Sequence, residues 1–188
     1  MGNEYTKLAR STIEAYLKDG QIIDIPKKLS SDMLKEKAGV FVSIHKKEPM
    51  PGEEDLRGCI GTFLPTKINI AEEIVENAIA AATRDYRFEP INQDELPELE
   101  ISVDVLGKPE LLIHKPINQL TNELINKLDS EKYGVIVKAP DGRTGLLLPD
   151  IEGVETPEKQ IFIARQKAGI LPDEPILISR FEVKRYKE

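Results

Sequence analysis

Apolar and polar positions alternate along the chain in two distinct rhythms. Tyr5, Leu8, Ala9, Thr12, Ile13 and Tyr16 recur at helical spacing, with Asn3 placed as N-cap and Gly20 as the stop. Gly39 to His45 is rich in β-formers and reads as a strand. Lys46 to Asp55 holds Pro49, Pro51 and Gly52 and reads as a loop, and Leu56 to Phe63 reads as a second strand antiparallel to the first. Asn69 opens a helix whose stripe is Ile70, Ile74, Val75, Ala78, Ala81 and Ala82, with Glu72 placed for a capping box and Arg84 at the end, where a cation suits the dipole.

Further along, Leu99, Ile101, Val103 and Val105 alternate with Glu100, Ser102 and Asp104, the pattern of a half-buried strand. Leu120, Leu124, Ile125 and Leu128 suggest a short helix. Tyr133 to Lys138 and Arg143 to Leu148 form a hairpin around Ala139-Pro140-Asp141-Gly142. Thr156 and Pro157 start a helix that Gly169 closes, and Ile176 to Tyr186 is a final strand. The mixture predicts an α+β fold with mixed or antiparallel sheets and flanking helices.

Two stretches share a pattern. Gly39-Val40-Phe41-Val42 precedes Gly58-Cys59-Ile60-Gly61-Thr62-Phe63-Leu64-Pro65, and Gly134-Val135-Ile136-Val137 precedes Gly142-Arg143-Thr144-Gly145-Leu146-Leu147-Leu148-Pro149. Each reads G-V-x-V, then G-x-x-G-x-x-L-P, then a helix, which suggests a duplicated strand-loop-strand-helix unit. In this alignment Arg143 stands opposite Cys59.

Composition narrows the chemistry. The chain has 188 residues, 40% of them hydrophobic and 31% charged, as expected of a globular protein of one domain or two close subdomains. With 33 acidic against 26 basic residues the net charge is −7, which disfavours nucleic acid and anionic membranes as partners. The single cysteine, Cys59, excludes an intrachain disulfide and a multi-cysteine metal site, and a free thiol predicts a cytoplasmic setting with no metal or cofactor. The polar start Met1 to Thr6 predicts no secretory leader, although it matches the myristoylation pattern M-G-x-x-x-[ST]. No apolar run is long enough to span a bilayer.

Strict alternation through Leu56–Phe63 puts Arg57, Cys59, Gly61 and Phe63 on one face, and Leu56, Gly58, Ile60 and Thr62 on the other, apolar one. Gly61 would leave open space beside the thiol. Arg57 and Cys59 would have Cα atoms roughly 7 Å apart. Their attraction of about 2 kcal/mol would lower the thiol pKa by about one unit if the side chains point together. The plain alternative is that Cys59 packs, since free cysteine is among the most buried residue types. A nucleophile needs a base, and the chain offers only His45, which ends the neighbouring strand, and His114. Arg84, Asp85 and Arg87 would line an anion-binding groove with Arg57, or else order a helix end.

Leu56-Arg57-Gly58-Cys59-Ile60-Gly61-Thr62-Phe63 resembles the signature of the AMMECR domain family, and Asp85-Tyr86-Arg87-Phe88-Glu89-Pro90 resembles its D-x-R-F-x-P segment. Glu100 to Val103, Gly145 to Pro149 and Lys167 to Ile170 resemble further blocks, so the likeness covers most of residues 1–188 as a single domain. Tyr133 and Gly153 to Thr156 depart from the family pattern, which often has a histidine and a Trp-Asp pair there. The resemblance implies an α+β fold with the signature near a groove between two subdomains. Microbial members resemble protein A of the AmmeMemoRadiSam system, which implies a Memo-like protein and a radical-SAM protein as partners. Three function classes follow. In the first, a thiol-dependent enzyme or subunit uses Cys59 and Arg57 and holds a small acidic substrate with Gly58, Ile60, Gly61, Thr62, Arg84, Asp85 and Arg87. In the second, a non-catalytic adaptor binds a partner through the signature groove. In the third, Gly58 to Gly61 acts as a G-x-x-G nucleic-acid loop, which its place in a strand disfavours.

Overall fold

A computed structural model describes residues 3–113, 117 and 119–188. Gly2 of the myristoylation pattern and His114 lie outside them. The elements in order are α1 (Glu4–Asp19), α2 (Ser31–Lys35), β1 (Val40–Lys46), β2 (Leu56–Thr62), α3 (Ile70–Thr83), a 3-10 helix (Gln93–Glu98), β3 (Leu99–Leu106), β4 (Glu110–Leu111), α4 (Asn122–Ile125), β5 (Tyr133–Lys138), β6 (Thr144–Leu147), α5 (Pro157–Lys167) and β7 (Leu177–Lys187). The fold is α+β, and its described strand pairs are antiparallel. The chain forms two compact units: residues 1–106 with 184–188, and residues 107–183.

In the first unit β1 lies between β2 and β3. Val40, Val42 and Ile44 of β1 and Ile101 and Val103 of β3 are almost completely buried on one sheet face, under Ile13 of α1 and Ile74 and Ala78 of α3. Each such aliphatic side chain contributes roughly 1.5–3 kcal/mol by leaving water. Asn3 caps α1 by accepting from the Tyr5 and Thr6 amides, and Gly20 ends it in the left-handed conformation at φ 68°. The Asn69 half of the predicted capping box forms, with the Glu72 amide 2.9 Å from its side-chain oxygen. The alanine-rich face of α3 lets the helix approach β2 so closely that a Cβ on Gly58 would run into the Ala81 carbonyl oxygen.

The second unit repeats this plan. β5 pairs with β6 and β7, α5 packs on the hairpin, and a Cβ on Gly145 would run into the Ala164 carbonyl oxygen of α5. Asn77 of α3 donates to the Val40 carbonyl at 3.0 Å, and Gln160 of α5 donates to the Tyr133 carbonyl at 2.9 Å. The ladders agree: Ile44↔Gly58 corresponds to Val137↔Gly145, and Val42↔Ile60 to Val135↔Leu147. The duplicated unit is therefore present, but the sequence motif misaligns it. Gly145 is the counterpart of Gly58 and not of Gly61, and Leu146, not Arg143, stands where Cys59 does. Tight helix packing selects one glycine per hairpin, and the motif matched glycines that serve other purposes.

Candidate functional site

The predicted face of β2 is interrupted by a bulge. Ile44 lies opposite Gly58 and His45 opposite Leu56, so Arg57 has no partner across the ladder. A bulge re-aims the side chain at the extra residue. The Arg57 guanidinium does not flank the thiol. Its Nε lies 2.9 Å and its Nη2 3.1 Å from the Glu95 carboxylate, and Nη1 donates to the Glu89 carbonyl at 2.8 Å. The expected Arg57–Cys59 pairing is thus corrected, and Arg57 instead fastens the 89–95 segment to the sheet.

The other charged block does similar work. β2 is an edge strand, with outward backbone groups that need partners. Asp85 accepts the Cys59 amide at 2.8 Å, and Arg87 Nη2 donates to the Cys59 carbonyl at 3.3 Å. Asp85 and Arg87 also pair directly at 2.7 Å. Together they replace the missing neighbouring strand. The Arg87 guanidinium foremost, with the Cys59 amide and against the opposing effect of burial, holds the Asp85 carboxyl down at about 2. Arg84 pairs with Glu76 at 2.8 Å, where the pairing raises its pKa.

The remaining signature positions are also occupied internally. Gly58 faces α3, and Ile60 packs on the first unit's core. Thr62 donates its hydroxyl to Glu73, which also accepts from the Thr66 and Lys67 amides. The space expected beside Gly61 does not exist, because the Phe41 ring lies where a Cβ would stand. A ring laid over a cross-strand glycine shields the bare backbone. Within the first unit, Gly58, Ile60, Gly61, Thr62, Arg84, Asp85 and Arg87, expected as substrate contacts, are thus engaged in packing, edge protection, loop anchoring and ion pairing.

Cys59 alone of the signature presents a reactive type of atom on the outer sheet face. Its amide points outward to Asp85, so Ser43 and Cys59 form a non-hydrogen-bonded pair, whose side chains approach closely. The Ser43 hydroxyl donates to Sγ at 3.1 Å. Burial pushes the Cys59 thiol up from its ordinary value; the Ser43 hydrogen bond and Arg87 pull it down less strongly, and Asp104 and Asp85 add to the rise. This reverses the predicted activation. The Cys–His arrangement does not form either, since His45 Nδ1 lies 3.3 Å from Asp55 and the thiol's partner is Ser43. Among the described residues no cluster of three or more His, Cys, Asp or Glu side chains is placed to hold a metal ion.

Register extends this row to Ser102, which pairs with Ser43 across β1 and β3. One row further, the buried Asp104 receives Arg185 Nε at 2.9 Å. Next to Ser102 a cleft of about 310 Å³ opens between His45, Lys47, Glu100 and Lys187. Cys59 does not line it. Ser43 and Lys187 carry no motif, and Ser102 is announced in the sequence only as a polar strand position within the Glu100–Val103 block. In the second unit the matching row is Leu146, Ile136 and Ser179, so the thiol and one hydroxyl are replaced by apolar side chains. Among the described residues no helix is long and apolar enough to cross a membrane.

Comparison with known proteins agrees with the signature. The AMMECR1 family model matches residues 6–188. A protein of Thermotoga maritima is 47% identical over 184 residues, covering 97% of each chain. One from Clostridium acetobutylicum is 45% identical across 98% of this chain, yet this chain spans only 36% of its length. A crystal structure of an uncharacterized protein from Pyrococcus horikoshii superposes with a TM-score of 0.87 at 32% identity, covering 100% of this chain and 91% of that one.

Proposed function

The chain belongs to the AMMECR1 family, and we propose that it works as a binding module through the outer sheet face of its first unit, without nucleophilic catalysis by Cys59. One observation carries this reading: the thiol is hydrogen-bonded by Ser43 and pushed up by burial, while the nearby Arg57 and Arg87 are engaged with carboxylates and backbone carbonyls. A nucleophile requires an activated thiolate and a base; burial raises the pKa of this half-buried sulfur, and its hydrogen-bond partner among the described residues is Ser43 and not a histidine. The row Cys59–Ser43–Ser102 then offers a soft sulfur and two hydroxyls as contacts, with charges at its rim.

The partner class is the one that family resemblance implies, a Memo-like protein acting with a radical-SAM protein. Tyr86 supports a protein contact. It is 94% exposed beside Arg84 and Arg87, and Tyr and Arg are the residue types that anchor interfaces. Co-expression of this chain with a Memo-like protein tests the reading. Capture is expected in the wild type, to persist in Cys59→Ser, where a hydroxyl replaces the thiol beside Ser43, and to fall in Tyr86→Ala. Loss of capture in Cys59→Ser with the fold intact would assign the sulfur a chemical role and defeat the proposal.

A further inference from the structure

The arginines expected to hold an acidic ligand are all committed within the first unit, and this directs attention to the cations that are not. Lys46 pairs with Glu53, and Lys47 donates to the Pro97 carbonyl. Lys187 forms no ion pair among the described residues. Its orientation follows from β7: Tyr186 turns inward and stacks on Tyr5, with ring centroids 3.9 Å apart, so Lys187 turns outward. Across the same cleft Glu100 is exposed and likewise forms no ion pair among the described residues.

We infer that this cleft binds a small zwitterionic carboxylate of amino-acid size, its carboxylate on Lys187 and Ser102 and its ammonium on Glu100 and His45. The inference rests on the binding-module reading and supplies its ligand class. The cleft's volume of about 310 Å³ is at the small end of ligand sites. Asp55 lies 3.3 Å from Nδ1 of His45, and both line the cleft together with Glu100. With Lys46 already paired to Glu53, Lys47 and Lys187 stand against Asp55 and Glu100, so the lining carries no cation surplus to hold a polyphosphate and suits a ligand with one charge of each sign. Two unpaired charges of opposite sign lining one cleft are matched by a ligand carrying both.

The test is nitrogen-15 NMR of the full chain, titrated singly with the twenty free amino acids and, as controls, with propionate and inorganic phosphate. The expected result is saturable shifts at the amides of His45, Lys47, Ser102 and Lys187 with at least one amino acid. Lys187→Ala and Glu100→Gln should each weaken that binding about tenfold, and Lys127→Ala, which removes an exposed ion pair with Glu123 in the second unit, should leave it unchanged. No saturable shift with any amino acid overturns the inference. So does binding of propionate or phosphate as tight as the best amino acid, since the ammonium subsite would then contribute nothing. Shifts confined to Cys59 and Ser43 overturn this location while leaving the binding-module reading standing.

Discussion

Gly58→Ala and Gly145→Ala are each expected to cost about 3 kcal/mol or more, through one mechanism acting twice. In both units the hairpin's second strand passes a helix so closely that an added Cβ would run into a backbone carbonyl oxygen, of Ala81 in one case and Ala164 in the other. A flexible side chain would swing aside, but a helix carbonyl moves only with its helix. Overpacking of that kind typically costs 1–3 kcal/mol and more where backbone must shift. For a chain of this length the melting temperature should fall by roughly 6–12 °C. Thermal unfolding followed by circular dichroism measures this directly. A drop under about 2 °C in either variant would mean that helix and strand are not so closely packed there.

The second large effect is at Glu73. Its carboxylate is 1% exposed and accepts from the Thr62 and Thr66 hydroxyls and, at 2.8 Å each, from the Thr66 and Lys67 amides. Burial alone would raise its pKa, but these donors, Thr62 first, overcome burial and lower it. Glu73→Ala leaves buried donors unpaired and releases the loop between β2 and α3, a loss of about 3 kcal/mol. Hydrogen exchange at Thr66 and Lys67 should accelerate in the variant. The pH dependence has a definite sign. A carboxyl held lower in the folded than in the unfolded chain stabilises above its unfolded pKa of about 4.3, and that stability is lost as the pH falls through the folded value. Unchanged exchange at both amides in Glu73→Ala would show that the loop does not depend on this anchor.

Much of this architecture was legible before any coordinates. Asn3, Gly20, Asn69 and Thr156 bound their helices because caps and stops act locally. The antiparallel pairing of β1 with β2 followed from two β-rich runs around a polar loop. Helix α2, the 3-10 helix and β4 went unread because they are too short to show a period. The site was less legible for two physical reasons. Alternation assumes an unbroken ladder, and the bulge at Arg57 turned the key cation toward Glu95. Charge proximity in sequence also says nothing of competing partners, and Arg57, Arg84 and Arg87 each found a carboxylate inside the first unit. That Ser43 and Ser102 stand side by side was not visible, because a cross-strand row exists only once register is known.

Titrating the thiolate of native Cys59 by its ultraviolet absorbance, with urea-unfolded chain as reference, most directly examines whether the signature sulfur is a neutral contact. The predicted midpoint for the folded protein lies above that of the unfolded chain, near 8.5, because burial disfavours the anion more than Ser43 and Arg87 favour it. A native midpoint below the unfolded one would mean an activated thiolate and would contradict the account.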